Sequence, residues 1–314
     1  MKVVDLFCGC GGLSMGFKKA GFDISVGIDA WSEALNVYQR NFSHGAVIAD
    51  LSDVASGSRI VSAFSPTVII GGPPCQDFSS AGKQNEDNGR GDLTISFAEI
   101  VREVRPPFFV MENVPRIKGT QKLLEAKTIF SDAGYGTTEV ILNAALYGVP
   151  QRRKRYFLIG VLGGEQDALL ESLLRRASPE EMTVREYMGD ELDLDYYYRH
   201  PRSYARRGVF SVDEPSPTVR GVNRPLPDGY KLHKGDPVNA LSGIRALTTR
   251  ERSRIQTFPK SFEFFGTKSN LEQMIGNAVP VNLAYNVAGA LMEYIVRIEP
   301  KWTDYRADVP CSAP

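Results

Sequence analysis

The sequence predicts an α/β fold, a doubly wound Rossmann-like sheet carrying a second, smaller and irregular module. Three observations carry this. Over the first 160 residues, short apolar runs alternate with amphipathic stretches, the pattern of a parallel sheet covered by helices. From about 165 to 244 that pattern gives way to Tyr, Arg, Pro and Gly with weak periodicity, as in YYYRHPRSYARR and PSPTVRGVNRPLPDGYKLHKGD. After 270, helical apolar spacing returns in VNLAYNVAGALMEYIVRI at 281–298. The chain is therefore expected to build its first domain from 1–164 plus 268–314, with 165–267 as an insert.

Element by element, strands are expected near 2–7 (KVVDLF), 24–29 (ISVGID), 67–71 (TVIIG), 107–112 (PFFVME) and 155–161 (RYFLIGV), with a weaker one just before Asp50. Helices fit between them at about 12–20, 31–42, 57–64, 91–104 and 120–133, with Pro106 and Gly134 as breaks. In doubly wound sheets ligands sit at the carboxyl ends of the strands, so the residues just after each apolar run are the ones to inspect.

Composition narrows the function classes. The chain has 314 residues, 42% hydrophobic, 24% charged and 10% aromatic, which is globular and excludes disordered, collagenous and coiled-coil mixtures. No run approaches the roughly 18 apolar residues of a membrane span, and the opening MKVVDLFCGC lacks a signal-peptide core, so a soluble cytoplasmic protein is expected. Four cysteines, Cys8, Cys10, Cys75 and Cys311, are too few for a disulfide scaffold, and their spacing falls short of a zinc set. The net charge is zero, yet residues 199–260 hold thirteen Lys and Arg against five acids, a local +8. Binding to a polyanion depends on local potential, so this segment is a candidate nucleic-acid face or, equally, a solvated surface.

The first strand runs through Asp5 and Phe7 into Cys8-Gly9-Cys10-Gly11-Gly12-Leu13-Ser14, a glycine-rich turn opening a helix. Such a turn lets backbone approach a ligand closely. Ser14 stands where a dinucleotide fingerprint needs its third glycine. Asp29 and Asp50 follow the next two strands. Carboxylates at strand ends suit ribose and repel pyrophosphate, so S-adenosylmethionine fits better than NAD; both residues also read as ordinary helix caps. Gly71-Gly72-Pro73-Pro74-Cys75 fixes an unusual backbone directly after a buried strand, giving Cys75 the rigid frame that a nucleophile needs and that Cys8 and Cys10 lack. Glu112 ends the next strand and reads as a cap, a salt-bridge partner, or a general acid with a pKa raised by burial. In Gln151-Arg152-Arg153-Lys154-Arg155, strand alternation sends Arg153 and Arg155 to one face.

Taken in order, DLFCGCGG, GGPPCQDFS, ENV, QRRKR, RALTTRERSRIQTFP and GNAVPVNLA closely resemble the motifs of the DNA cytosine-5 methyltransferase family, of prokaryotic or phage type. The resemblance spans 3–160 and 243–290 and leaves the insert where that family holds its target recognition domain. It implies that a cytosine is flipped out of duplex DNA and attacked at carbon 6 by Cys75, with Glu112 acting at ring N3. Methyl transfer from S-adenosylmethionine to carbon 5 leaves S-adenosylhomocysteine. Arg153 resembles the arginine that binds and activates the base, and Arg155 its companion. Phe7 is expected to stack on the adenine, Asp29 to hold the ribose, Asp50 to accept from the adenine amino group and Leu51 to pack on the ring. Gly9, Gly11 and Gly12 are expected to line the methionine part, with Pro73 and Asn277 also at the cofactor. Two departures stand out: Asp29 where the family usually has Glu, and Ala30-Trp31 where a bulky side chain often follows directly.

The resemblance also places Ser79, Lys83 and Arg90, in the polar segment 76–93, against DNA phosphates or the gap left by the base. In the insert, Arg220, Asn223 and Arg224 of PSPTVRGVNRP are the expected recognition residues; Arg250, Arg252 and Arg254 are expected at phosphates, with Arg250 and Arg254, four apart on a helix, read alternatively as braces of the domain interface. The expected partner is double-stranded DNA, bound by a monomer, without a membrane or metal, in a setting where a cognate restriction endonuclease acts on the same site. An RNA methyltransferase of the same fold is disfavoured because the insert lacks the Cys-Phe-Thr signature and has no cysteine. A silent DNA-binding relative is disfavoured by the presence of both Cys75 and Glu112.

Overall fold

The computed structural model describes residues 1–74, 92–203 and 205–308, with backbone alone for 299–308. Seven strands form the main sheet: β1 (Lys2–Leu6), β2 (Asp23–Asp29), β3 (Gly45–Ile48), β4 (Val68–Gly71), β5 (Phe108–Asn113), β6 (Tyr135–Asn143) and β8 (Lys154–Leu162). Their order is β3-β2-β1-β4-β5-β8-β6. The first five pair in parallel, whereas β8 runs against both β5 and β6. The sheet is thus mixed, and β6 is a strand that the periodicity reading missed. Its sequence YGTTEVILN alternates between buried and less buried residues, as an edge strand covered on one face does.

Period-2 alternation divides the strands between two cores. Val3, Val68, Ile70, Phe108 and Val110 face one cluster, which holds Leu13 and Phe17 of α1 (Gly12–Lys19) and Leu283, Ala284 and Val287 of α10 (Val281–Asp308). Val4, Ile69, Phe109 and Met111 face the other, filled from α3 (Val54–Ser62), α4 (Leu93–Val104) and α5 (Gln121–Asp132) by Val61, Phe97, Ile100 and Phe130. Burial on both faces explains why these strands read as continuous apolar runs. α2 (Ser32–Asn41) contributes Leu35 and Tyr38 to a third cluster.

The smaller core gathers Val184, Met188, Tyr197, Phe210, Val212, Val219, Leu247, Ile255 and Ile275. Its elements are short: α7 (Val184–Met188), β9 (Tyr196–Tyr198), β10 (Val209–Ser211), β11 (Ser216–Pro217), α8 (Thr249–Ile255) and part of α9 (Lys268–Asn277). A strand of two residues, β7 (Gln151–Arg152), pairs with β11. Leu169 and Leu173, the latter on α6 (Leu170–Arg175), belong to the larger core, and Phe258 and Phe262 pack with Tyr38. The smaller core is drawn from residues between Val184 and Ile275. α8 starts cleanly because Thr248 and Glu251 form a reciprocal capping box.

Candidate active site

The turn after β1 is built on left-handed backbone: Phe7, Gly9 and Gly11 have φ of 56°, 53° and 97°. Phe7 pays the strain of a non-glycine residue in that region, a feature concentrated at functional sites. Asp29 clasps the turn from β2, its Oδ2 accepting from the Gly9 N–H at 2.8 Å and its Oδ1 from the Trp31 N–H at 2.8 Å. Opposite lies Asp5, wholly buried. Its Oδ2 accepts from the Ser14 hydroxyl at 2.6 Å, and Ser14 meets Tyr38, which meets His44. Oδ1 of Asp5 has no hydrogen-bond partner among the described residues, and burial pushes the carboxyl up to about 7. Asp50 is exposed and accepts from Ser52, and Leu51 is buried in the second core. Cys8 and Cys10 are buried with their thiols pushed up by burial, Cys10 to about 12.

The β5–β8 register assembles the second part of the site. Glu112 pairs with Phe157, so Arg155, two residues back on β8, is its diagonal neighbour on the same face. Arg155 Nε lies 2.7 Å from Glu112 Oε1, with both side chains about nine-tenths buried. Burial raises the Glu112 pKa against the opposing pull of Arg155 and Arg153. A Cβ at residue 72 would sit 3.1 Å from Glu112 Oε2, and the Asn113 amide donates to the Pro73 carbonyl at 2.9 Å. The Gly-Pro-Pro backbone is thus tied to the end of β5. Cys75, Ser79, Lys83 and Arg90 lie outside the described residues, as does Cys311.

Arg153 follows a different course from its companion. It is 1% exposed and gives its guanidinium to carbonyls: Val219 at 2.9 Å, Gly276 at 2.8 Å and Ala278 at 3.1 Å. Alternation does place Arg153 and Arg155 inside and Arg152 and Lys154 outside, but only Arg155 reaches Glu112. Asn277 is exposed, its amide oxygen accepting from Gln273.

The family model of C-5 cytosine-specific DNA methylases matches residues 1–293. The chain belongs to that family. It is 55% identical over 295 residues to the Type II methyltransferase M.HindV of Haemophilus influenzae, covering 94% of this chain and 97% of that one. It is 52% identical over 295 residues to M.HgiDI of Herpetosiphon aurantiacus, covering 94% and 95%. The crystal structure of S. pombe Dnmt2 methyltransferase has the same fold, with a TM-score of 0.70 at 19% identity over 93% of this chain and 98% of that one. The protein is thus a DNA cytosine-5 methyltransferase, related to Type II methyltransferases, and DNA is its substrate.

In this methylase the basic segment 199–260 divides in two. Arg207, Arg245, Arg252, Arg254 and Lys260 pair with Glu214, Glu251, Glu272, Glu191 and Glu191. Arg199 donates to the Thr218 carbonyl and Arg220 to that of His200. Arg202, Arg206, Arg224, Lys231, Lys234 and Arg250 are exposed. Of the expected recognition residues, Arg224 is therefore presented outward. Asn223 spends its amide on the Leu247 carbonyl and Glu272. Arg254 bonds Glu191 and the Phe258 carbonyl, whereas the Arg250 side chain is exposed.

Sequence reasoning passed over Asp5, Asn113, Gln151, Gln256 and Glu272. Asp5, Asn113, Gln151 and Gln256 stood in quoted motifs. Gln151 Oε1 accepts from the Val219 N–H at 2.9 Å and its Nε2 donates to Gln256 at 2.8 Å, links across 68 and 105 residues that no local pattern signals. No group of three or more His, Cys, Asp or Glu among the described residues is arranged to hold a metal ion, and no helix among them is long and apolar enough to cross a membrane.

Proposed function

We propose that this methylase acts on a cytosine extruded from duplex DNA, with Cys75 as nucleophile, Glu112 as the acid at ring N3 and S-adenosylmethionine as methyl donor. The turn after β1 fits that cofactor. Oδ1 of Asp5 is a buried acceptor without a partner, complementary to an ammonium, and a Cβ built on Gly9 meets nothing within 4 Å, leaving room for a ligand. In this reading Asp29, which clasps the turn at the end of β2, holds the ribose. When bound, S-adenosylmethionine supplies a methyl group made electrophilic by its sulfonium.

The chain's own residues do the rest. In this reading the Cys75 thiolate adds to carbon 6 while Glu112 gives a proton to N3, so charge does not build on the ring. Carbon 5, now nucleophilic, takes the methyl group. Loss of its proton to a water molecule and expulsion of the Cys75 thiolate restore aromaticity as N3 returns its proton to Glu112. Arg155 holds one carboxyl oxygen of Glu112 and fixes where its proton points. DNA enters along the open cleft lined by Pro115, Arg116, Asn143, Arg152, Lys154, Glu181 and Thr218, where phosphates meet exposed Arg116 and Lys154 while Arg152 is paired with Glu181.

The observation that carries this reading is the buried Glu112–Arg155 pair beside the tethered Gly-Pro-Pro backbone, because burial favours the protonated carboxyl that the reaction needs. The test is bisulfite sequencing of DNA from cells expressing the protein, together with trapping on duplexes containing 5-fluorocytosine. The expected result is methylation at one short sequence and a stable adduct, with Cys75→Ser binding DNA but forming none. An adduct from Cys75→Ser would remove the assigned nucleophile.

A further inference from the structure

We propose that Arg153 is a positioning residue that couples the cofactor side of the site to the DNA-reading side; this rests on the functional reading above. One guanidinium joins three segments distant in sequence. It stands on the β7–β8 connection, donates to Val219 in the segment expected to read DNA, and donates to Gly276 and Ala278 in the Gly-Asn-Ala-Val turn.

Each segment is held firmly. The Val219 N–H is taken by Gln151, the Thr218 hydroxyl by the Arg152 carbonyl, and the Arg220 carbonyl by Arg252, itself paired with Glu272. On the other side, a Cβ at Gly276 would collide with the backbone of Arg220 and Gly221, and one at Gly12 with the Val279 carbonyl. The turn bearing Asn277 is therefore packed between the helix that opens at the cofactor loop and the segment that reads DNA. Close-packed backbones pass displacement on rather than absorbing it. Two residues further along the same face, Arg155 grips Glu112. Arg153 is buried and directs both terminal nitrogens to backbone carbonyls, so its geometry acts through the segments it ties and not on the base.

The first measurement uses the wild-type protein, with S-adenosylhomocysteine and no DNA. Amide exchange at residues 218–221 should slow at least about threefold on saturation. Calorimetric binding with no change at 218–221 overturns the coupling and leaves the cofactor reading intact. Absence of binding overturns both. The second measures DNA affinity with and without S-adenosylhomocysteine. A coupling factor of about 5 or more is expected for the wild type, falling toward 1 in Arg153→Lys, which keeps the charge and loses the planar fork. Thermal unfolding of the same sample reports folding separately. An undiminished factor in Arg153→Lys overturns the proposal.

Discussion

Glu112 shows how far one side chain's surroundings set its chemistry. Burial raises its pKa while Arg155 and Arg153 oppose the shift, so the carboxyl stays protonated to higher pH than in water. If that proton is used, the rate holds below the folded-state pKa and falls above it. Glu112→Gln should lower kcat by about a hundredfold or more and remove the alkaline fall; an unchanged pH–rate profile in the variant would take the acid role away. Asp5 gives a stability counterpart. Its pKa is about 7 in the fold against 3.8 as the reference value, so the native state binds more protons between those values and stability falls as pH rises through that window. Asp5→Asn should raise the unfolding free energy by roughly 1–3 kcal/mol above pH 7 and by nothing near pH 4, measured by denaturant unfolding at both pH values. The same variant should weaken cofactor binding, since the orphaned acceptor changes character. Glu112 was legible because it ends a strand in a recognisable motif. Asp5 was quoted without a role, because sequence does not reveal which oxygen lacks a partner.

The β1–α1 turn separates packing from ligand space. Gly12 lies where a Cβ would collide with the Val279 carbonyl, and backbone yields little. Gly12→Ala should cost about 1–3 kcal/mol of stability, read as a lower unfolding midpoint. Gly9 has open space and a φ of 53°. Gly9→Ala should therefore cost only about 1 kcal/mol of backbone strain while reducing cofactor affinity in a calorimetric titration. Equal losses of stability in the two variants would contradict this division. The helices and parallel strands were legible because burial on both faces leaves unbroken apolar runs. β6 escaped because an edge strand has a weaker, alternating pattern, and its pairing to β8 closes across residues the chain visits later.

Across the two cores, the module built from short elements is the one we propose reads sequence. Its exposed cations, Arg202, Arg206, Arg224, Lys231, Lys234 and Arg250, are available to phosphates, and each phosphate neutralised steepens the salt dependence of binding by about 0.9 in the log–log slope. Exchanging residues 184–255 for the corresponding stretch of a relative of different specificity should move the methylated sequence, checked by bisulfite sequencing. Unchanged specificity would place sequence reading in the larger domain. The net charge of zero hides this arrangement, since five of the thirteen basic residues in 199–260 are paired with carboxylates. Charge counting overstated how much of this segment's charge faces outward.

From the order of residues alone came the family, the strand-end residues proposed to carry chemistry and the pairing of Arg153 with Arg155 on one face, because periodicity and motif spacing are local properties of a chain. The division of labour between those two arginines, the antiparallel course of β8 and the clamp on Val219 were settled by packing. Each depends on segments tens to more than a hundred residues apart meeting at hydrogen-bond distance, and nothing in a linear pattern encodes which of two equivalent side chains will find a carboxylate and which a ring of carbonyls.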